Sequence, residues 1–527
     1  MKKKWNIRLR RADGSIKRGL VTGVVLAALI GLFYAEEDWR GWHAWDQFRR
    51  AGEARGEHYD WGRLTPPPVP DDQNFALTPM VESCYGQMLD RTGHEIRPRN
   101  TKLVNRLEMH YWSDVKNYTY TDRLNDWNMG KRTDLAALQR YYRAIAAKTN
   151  RFQVPAQPQS PAADVLLALS TFEATIEELR QAAQRPYARF PLEYDKEEPM
   201  EILLPHLPSL KSCGQVLNLR ATAELQTGRS EQALADEKLL LRLADSLHNE
   251  PFLISQVFRR TMVQMMLQPV WEGLADHHWT DTQLAGLEVE LAKLDFLTDY
   301  AKSMQDEMGF LTRFTQYVRL HPGDYYQLTH FNVGLSSSEI SKPEFLVAVL
   351  THWHLVPSGW FYQNQLRCGR CVAEFYLPAV EVKTHTFKPA LVRQAEAFLK
   401  EERQHLTPFN IMECEFMPTP NKAAIDFAHA QCSVDLARVA MGLERYRLAQ
   451  GRYPDSLAEL APLYLKQVPN DVIGGQPLHY RLTEDGRFTL YSVGWNEMDD
   501  GGTVELSPGK AHQDLSEGDW VWRYPQK

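Results

Sequence analysis

Residues 216–247 read VLNLRATAELQTGRSEQALADEKLLLRLADSL. Two helical runs meet at Gly228, with apolar side chains three and four apart on either side of it. Helices joined by so short a turn pack as antiparallel neighbours, so this stretch specifies a helical hairpin. The flanking sequence repeats the pattern. Thr133 opens TDLAALQRYYRAIAAK, Ser160-Pro161 supplies an N-cap and an N1 proline for AADVLLALSTFEATIEELRQAAQ, and a proline-rich break, residues 186–208, divides that helix from the hairpin. A helix over Phe252 to about Ala275, a Thr280-capped amphipath and the run AKSMQDEMGFLTRFTQYVRL follow. The reading is a mainly α protein with a helical-hairpin body over 133–320. A Gly- and Ser-rich loop from His321 to Pro343 precedes a second helical block within 321–420, which reaches about Gln404.

Upstream of the body the chain changes character. Residues 1–18 form a basic segment in which eight Lys and Arg face one acid, Asp13, for a net +7. Residues 19–35, GLVTGVVLAALIGLFYA, are uncharged and apolar, long enough for one transmembrane helix, and Glu36-Glu37-Asp38 follow at once. Basic residues before the span and acidic ones after it place the N-terminus in the cytoplasm and the rest outside, a bacterial inner-membrane signal anchor with an extracytoplasmic bulk. A cleaved signal needs small residues at the cleavage site, and Phe33-Tyr34-Ala35 supplies a poor one. The whole chain carries −7, so the exported part carries −14, which repels phosphate backbones and excludes nucleic acid as a partner. Trp39, Trp42, Trp45 and Phe48 recur three apart, a stripe suited either to the membrane interface or to the protein's own body. PPPVPDDQNFALTP, residues 66–79, reads as an extended arm, and 81–132 as irregular, completing a juxtamembrane region over 36–132.

The C-terminal part, 421–527, reads as an α+β unit. One long helix stops at Gly451, and LHYRLT, the Asp485-Gly486 turn and RFTLYSVG form a hairpin, with DWVWRY as a third strand. GLERYRLAQGRYPDSLAELAPLYLKQVPND, PLHYRL and FTLYSVGWNEMDDGG follow in that order. Over 433–502 this succession resembles the C-terminal part of type II secretion major pseudopilins. The resemblance implies a calcium ion at the loop after the last strand, with Asn496, Glu497, Asp499 and Asp500 as ligand candidates. Calcium takes six to eight hard oxygens. The alternative is a solvated acidic turn in which Gly501 and Gly502 take special dihedrals. About four hundred residues separate this unit from the apolar helix, and no pilin peptidase site precedes the span, so the chain should not polymerise as a pilin subunit. Ala223, Gly228 and Ala233 make the hairpin resemble a single tetratricopeptide unit, where a solenoid needs three or more. PPPVPDDQNFALTP, PSGWFYQNQL, EFYLPAV and the tail together resemble a group of uncharacterised membrane-anchored bacterial proteins.

Six cysteines are too few to frame so long a chain. Cys368 and Cys371 form CGRC, which lies inside a helix and not at the helix start after a strand that a thioredoxin-like enzyme uses. With Cys414 and Cys432 they are candidates for buried thiols, structural disulfides or a four-thiolate zinc site, although a second CxxC is missing. His352 with His354 and His277 with His278 lack zinc-protease spacing, and Glu413 and Glu415 alternate around Cys414 as a weak acid pair. The first functional reading is a non-catalytic binding or assembly module with a protein partner in the cell envelope. The others are an envelope hydrolase with its site between helical blocks, and an accessory factor of a secretion or pilus system.

Overall fold

The computed structural model describes residues 2–85, 106–112, 126–321, 324, 355–507 and 512–525. Helix α1 spans Lys2–Ala54. Then come α2 (Leu135–Ala146), α3 (Pro161–Leu169), α4 (Glu173–Ala182), α5 (His206–Gln226), α6 (Ser230–Asp245), α7 (Leu253–Ala275), α8 (Asp281–Leu291) and α9 (Phe296–Leu320). Beyond lie α10 (Ser358–Cys371), α11 (Pro389–Glu402), α12 (Ile411–Phe416) and α13 (Pro418–Gln450). Seven short strands, β1 (Val380–Glu381), β2 (Thr386–Phe387), β3 (His479–Leu482), β4 (Phe488–Ser492), β5 (Val504–Leu506), β6 (Gln513–Gly518) and β7 (Trp520–Trp522), complete a mostly helical chain.

The chain divides into two units along lines that the linear segments did not anticipate. Unit 1 comprises Met1–Trp61, Met308–Val372 and Ala397–Pro418, and unit 2 comprises Gly62–Glu307, Ala373–Glu396 and Thr419–Lys527. The helical body and the α+β tail therefore share unit 2. The reason is apolar: Phe427 of α13 packs on Phe296 and Tyr300 of α9, and Phe387 of β2 packs on Tyr300 and Trp495. Arg438 of α13 also pairs with Glu288 of α8 at 3.0 Å. Neither surface would be covered without the other.

In unit 1, α1 contains one stretch long and apolar enough to cross a membrane, none of it buried. Past the span the helix turns one face to α10. Gly41 and Gly359 meet there, and Phe48 lies where a side chain on Gly369 would stand. The tryptophan stripe divides in its burial. Trp45 is buried against Tyr59, whereas Trp39 and Trp42 stay exposed. Arg367 of α10 binds Glu413 of α12 at 2.8 Å and also reaches Glu402.

In unit 2 the α5–α6 hairpin forms as read, and Gly228, at φ +76°, ends α5 with the Arg229 amide bonded to the Glu224 carbonyl. Ser160 caps α3, and Thr280 with Gln283 forms a capping box on α8. At α2 the cap is Asp134 and not Thr133, because the Thr133 hydroxyl binds the buried Glu272 carboxylate at 2.7 Å. The proline-rich stretch 66–79 is no free arm. Phe75 and Ala76 are fully buried, and the Asn74 side chain accepts the Arg189 amide and donates to its carbonyl. Proline excludes regular helix there without excluding burial. In the tail, β4 is central, flanked antiparallel by β3 and by the expected third strand β7. The β5–β6 hairpin was not foreseen, because Val504–Leu506 has a single strand-like apolar alternation. The expected loop 321–343 lies outside the described residues except for His321 and Asp324.

Candidate functional site

Four polar clusters among the described residues bear on the candidate sites. The first is the loop after β4. Glu497, at φ +62°, pairs with Arg393, whose guanidinium also donates to the Trp495 carbonyl at 2.7 Å. Asn496 donates to Asp500 at 2.9 Å and accepts the Met498 amide. Asp499 accepts the Tyr491 hydroxyl at 3.0 Å and the Gly501 amide at 2.9 Å, and these bonds hold its carboxyl below the usual range. Asn496 and Asp500 are thus spent on each other, and Glu497 and Asp499 on partners outside the set, so calcium would have to replace those contacts.

What ties the loop down is a residue the sequence reading passed over. Asp519, fully buried, accepts the amides of Gly502 (2.6 Å), Thr503 (3.2 Å) and Asp500 (3.3 Å). Gly501 and Gly502 take positive φ, as the glycine-turn alternative expects, and so present those amides to one carboxylate. Asp471, the acid of the Pro-x-Asp turn, acts likewise: it accepts Ser492 Oγ at 2.7 Å and the amides of Ile473 and Val493. The signal in the sequence was an acid inside an apolar run, Gly-Asp-Trp-Val-Trp.

The second place holds the thiols. All six cysteines are buried thiols outside any disulfide. Cys368 and Cys371 lie within α10, as expected, and Cys414 within α12, all in unit 1, whereas Cys432 of α13 belongs to unit 2. Burial pushes the Cys414 thiol up to about 12 and Cys368 and Cys432 well above the usual thiol value, the reverse of an activated nucleophile. Glu413 is tied to Arg367. His352 and His354 lie outside the described residues. Among the described residues no three His, Cys, Asp or Glu side chains converge as a metal shell.

The third lies inside the α5–α6 hairpin. Asp236, with no exposure, sits between Arg180 and Arg220, and Arg220 also reaches Glu173 at 2.8 Å and Glu224 at 3.4 Å. Glu237 is as deeply buried, and neither carboxyl oxygen has a hydrogen-bond partner. Burial, with Asp236 and Glu224 as its acidic neighbours, pushes the Glu237 carboxyl well above the carboxylate range. Its surroundings therefore favour the protonated, neutral form. Two adjacent acids on α6 fill positions that helical periodicity assigns to the core.

The fourth is a node around Glu444 of α13. His277 Nδ1 stands 2.9 Å from Glu444 Oε1, and Arg447 donates to both carboxylate oxygens, at 2.7 and 2.8 Å. Tyr453 adds its hydroxyl to Oε2 at 3.2 Å and meets Tyr524 at 2.9 Å. A carboxylate only accepts, so Nδ1 carries the proton in this contact. His277 occupies the left-handed turn that closes α7, at φ +56°, where Gly228 stands at the end of α5. Its bond to Glu444 holds a residue in a conformation that glycine takes without strain. Beside the node a cleft of about 250 Å³, open solvent included, is lined by Trp271, Phe488 and Trp522 among others. Sequence spacing sets His277 and Glu444 far apart, so only the fold joins them.

No protein-family model matches the chain, and neither the curated proteins nor the solved structures contain a significant match to it.

Proposed function

We propose that the protein is a membrane-anchored module of the bacterial cell envelope that holds its helical bulk at the outer face of the inner membrane to bind a protein partner. The observation that carries this reading is the continuity of α1. One unbroken helix runs from the basic segment through the exposed apolar stretch and on to Ala54, where its body-facing side is locked to α10. A span that continues as a packed helix fixes a body to a membrane far more firmly than a flexible linker does. The eight basic residues before the span and the acids after it support a cytoplasmic N-terminus. Reporter fusions test the topology: alkaline phosphatase joined after Lys527 is expected to be active, and an inactive enzyme there overturns the orientation. Crosslinking in intact cells, followed by recovery of the full chain, is expected to yield a discrete heteromeric complex. A chain recovered only as monomer speaks against the binding role.

A second reading, an envelope hydrolase, draws on the His277–Glu444 pair. His277→Gly keeps the left-handed turn while removing the imidazole. Loss of a hydrolytic activity in a protein that melts normally would favour the enzyme; unchanged behaviour assigns the pair to packing.

A further inference from the structure

We propose that Leu355 meets the outer edge of the hydrocarbon core and that Trp39 and Trp42 of α1 lie in the headgroup layer above it, so that unit 1 rests on the bilayer surface. The inference depends on the membrane-anchored reading and adds a second contact with lipid to the span. The first argument is length. Residues 19–35 make about 25 Å of helix at 1.5 Å per residue, a few ångströms short of a hydrocarbon core about 30 Å thick. Lys17 and Arg18 close the cytoplasmic end by extending their charges outward. At the other end the bilayer reaches past Ala35.

The second argument is that the acids there are not left bare. Glu37 is buried, takes the Arg40 guanidinium at 2.6 Å and accepts the Trp360 indole at 2.9 Å. Asp38 accepts the Gly359 amide at 2.7 Å at the start of α10, and Arg40 also stands 3.7 Å from Glu36. Paired carboxylates tolerate a headgroup environment that isolated ones resist.

The third argument is depth. Tyr34, still within the apolar run, donates its hydroxyl to the Leu355 carbonyl at 2.7 Å. Leu355 is therefore level with the last turn of the span, and its side chain is 54% exposed. A leucine held at that level meets the same surroundings as the span residue beside it. Trp39 and Trp42 are 63% and 46% exposed. They lie about 6 and 10 Å beyond Ala35 along the helix. Tryptophan at that height is the residue that marks a membrane interface.

The test places a photoreactive benzoylphenylalanine singly at Leu26, Leu355 or Gln47 in the full chain. Each protein is reconstituted into phosphatidylethanolamine and phosphatidylglycerol vesicles, irradiated, and weighed intact for lipid adducts. Leu26 lies in the span, and Gln47, exposed on the same helix, stands about 18 Å beyond Ala35. Adducts at Leu26 and Leu355 with none at Gln47 are expected. An adduct at Leu26 with none at Leu355 overturns the surface contact and leaves the anchor intact. Adducts at Gln47 as well overturn the defined depth, and none at Leu26 overturns the anchored reading itself.

Discussion

Gly41 of α1 and Gly359 of α10 meet backbone to backbone: a Cβ on Gly41 would strike the Gly359 carbonyl, and one on Gly359 would strike the carbonyl of Glu37. Backbone cannot swing aside as the end of a side chain can, so adding one methyl group forces the two helices apart. This contact joins α1 to the folded body of unit 1. Gly41→Ala or Gly359→Ala is expected to cost about 2–3 kcal/mol, read as a lowered melting temperature and as new proteolytic cleavage near residues 54–60. Unchanged melting and cleavage in both variants would refute the close packing.

The buried acid Glu237 predicts a pH dependence of definite sign. The unfolded chain releases this proton near the ordinary glutamate value of about 4.3, whereas the native state keeps it to a much higher pH. Between those limits the native state binds more protons, so stability falls as pH rises through and above the acidic range. Glu237→Gln keeps the shape and cannot ionise. Its melting temperature is expected to match the parent near pH 4 and to exceed it near pH 8. An equal difference at both pH values would show that Glu237 is not the proton-holding group.

Asp519 rather than calcium is expected to hold the loop after β4. Asp519→Ala leaves three amides without their acceptor and is expected to cost about 2–4 kcal/mol. Chelator treatment of the parent protein should leave its melting temperature unchanged. Stoichiometric calcium on elemental analysis, lost together with several degrees of melting temperature, would instead make Asn496, Glu497, Asp499 and Asp500 ligands.

The thiols give a direct count. Ellman's reagent is expected to react negligibly with the native protein and to find six thiols once it is denatured, since all six cysteines are buried thiols outside any disulfide. Four thiols after denaturation without reductant would mean one disulfide, and rapid native reaction would mean an activated cysteine.

Local chemistry made much of this architecture legible. The apolar run at 19–35, the turn at Gly228, the caps at Ser160 and Thr280 and the Asp485-Gly486 hairpin each rest on residues a few positions apart, whose hydrogen bonds and periodicity need no distant partner. Tertiary structure alone decided what distant segments share. It buried Phe75 within a proline-rich stretch, and it brought His277 to Glu444. It also set Asp519 beneath Gly502 and merged the α+β tail with the helical body through Phe427. The physical reason is that burial and charge pairing reward proximity in space. Along the chain Glu237 reads as one more helix-forming acid, and only tertiary packing takes it out of water.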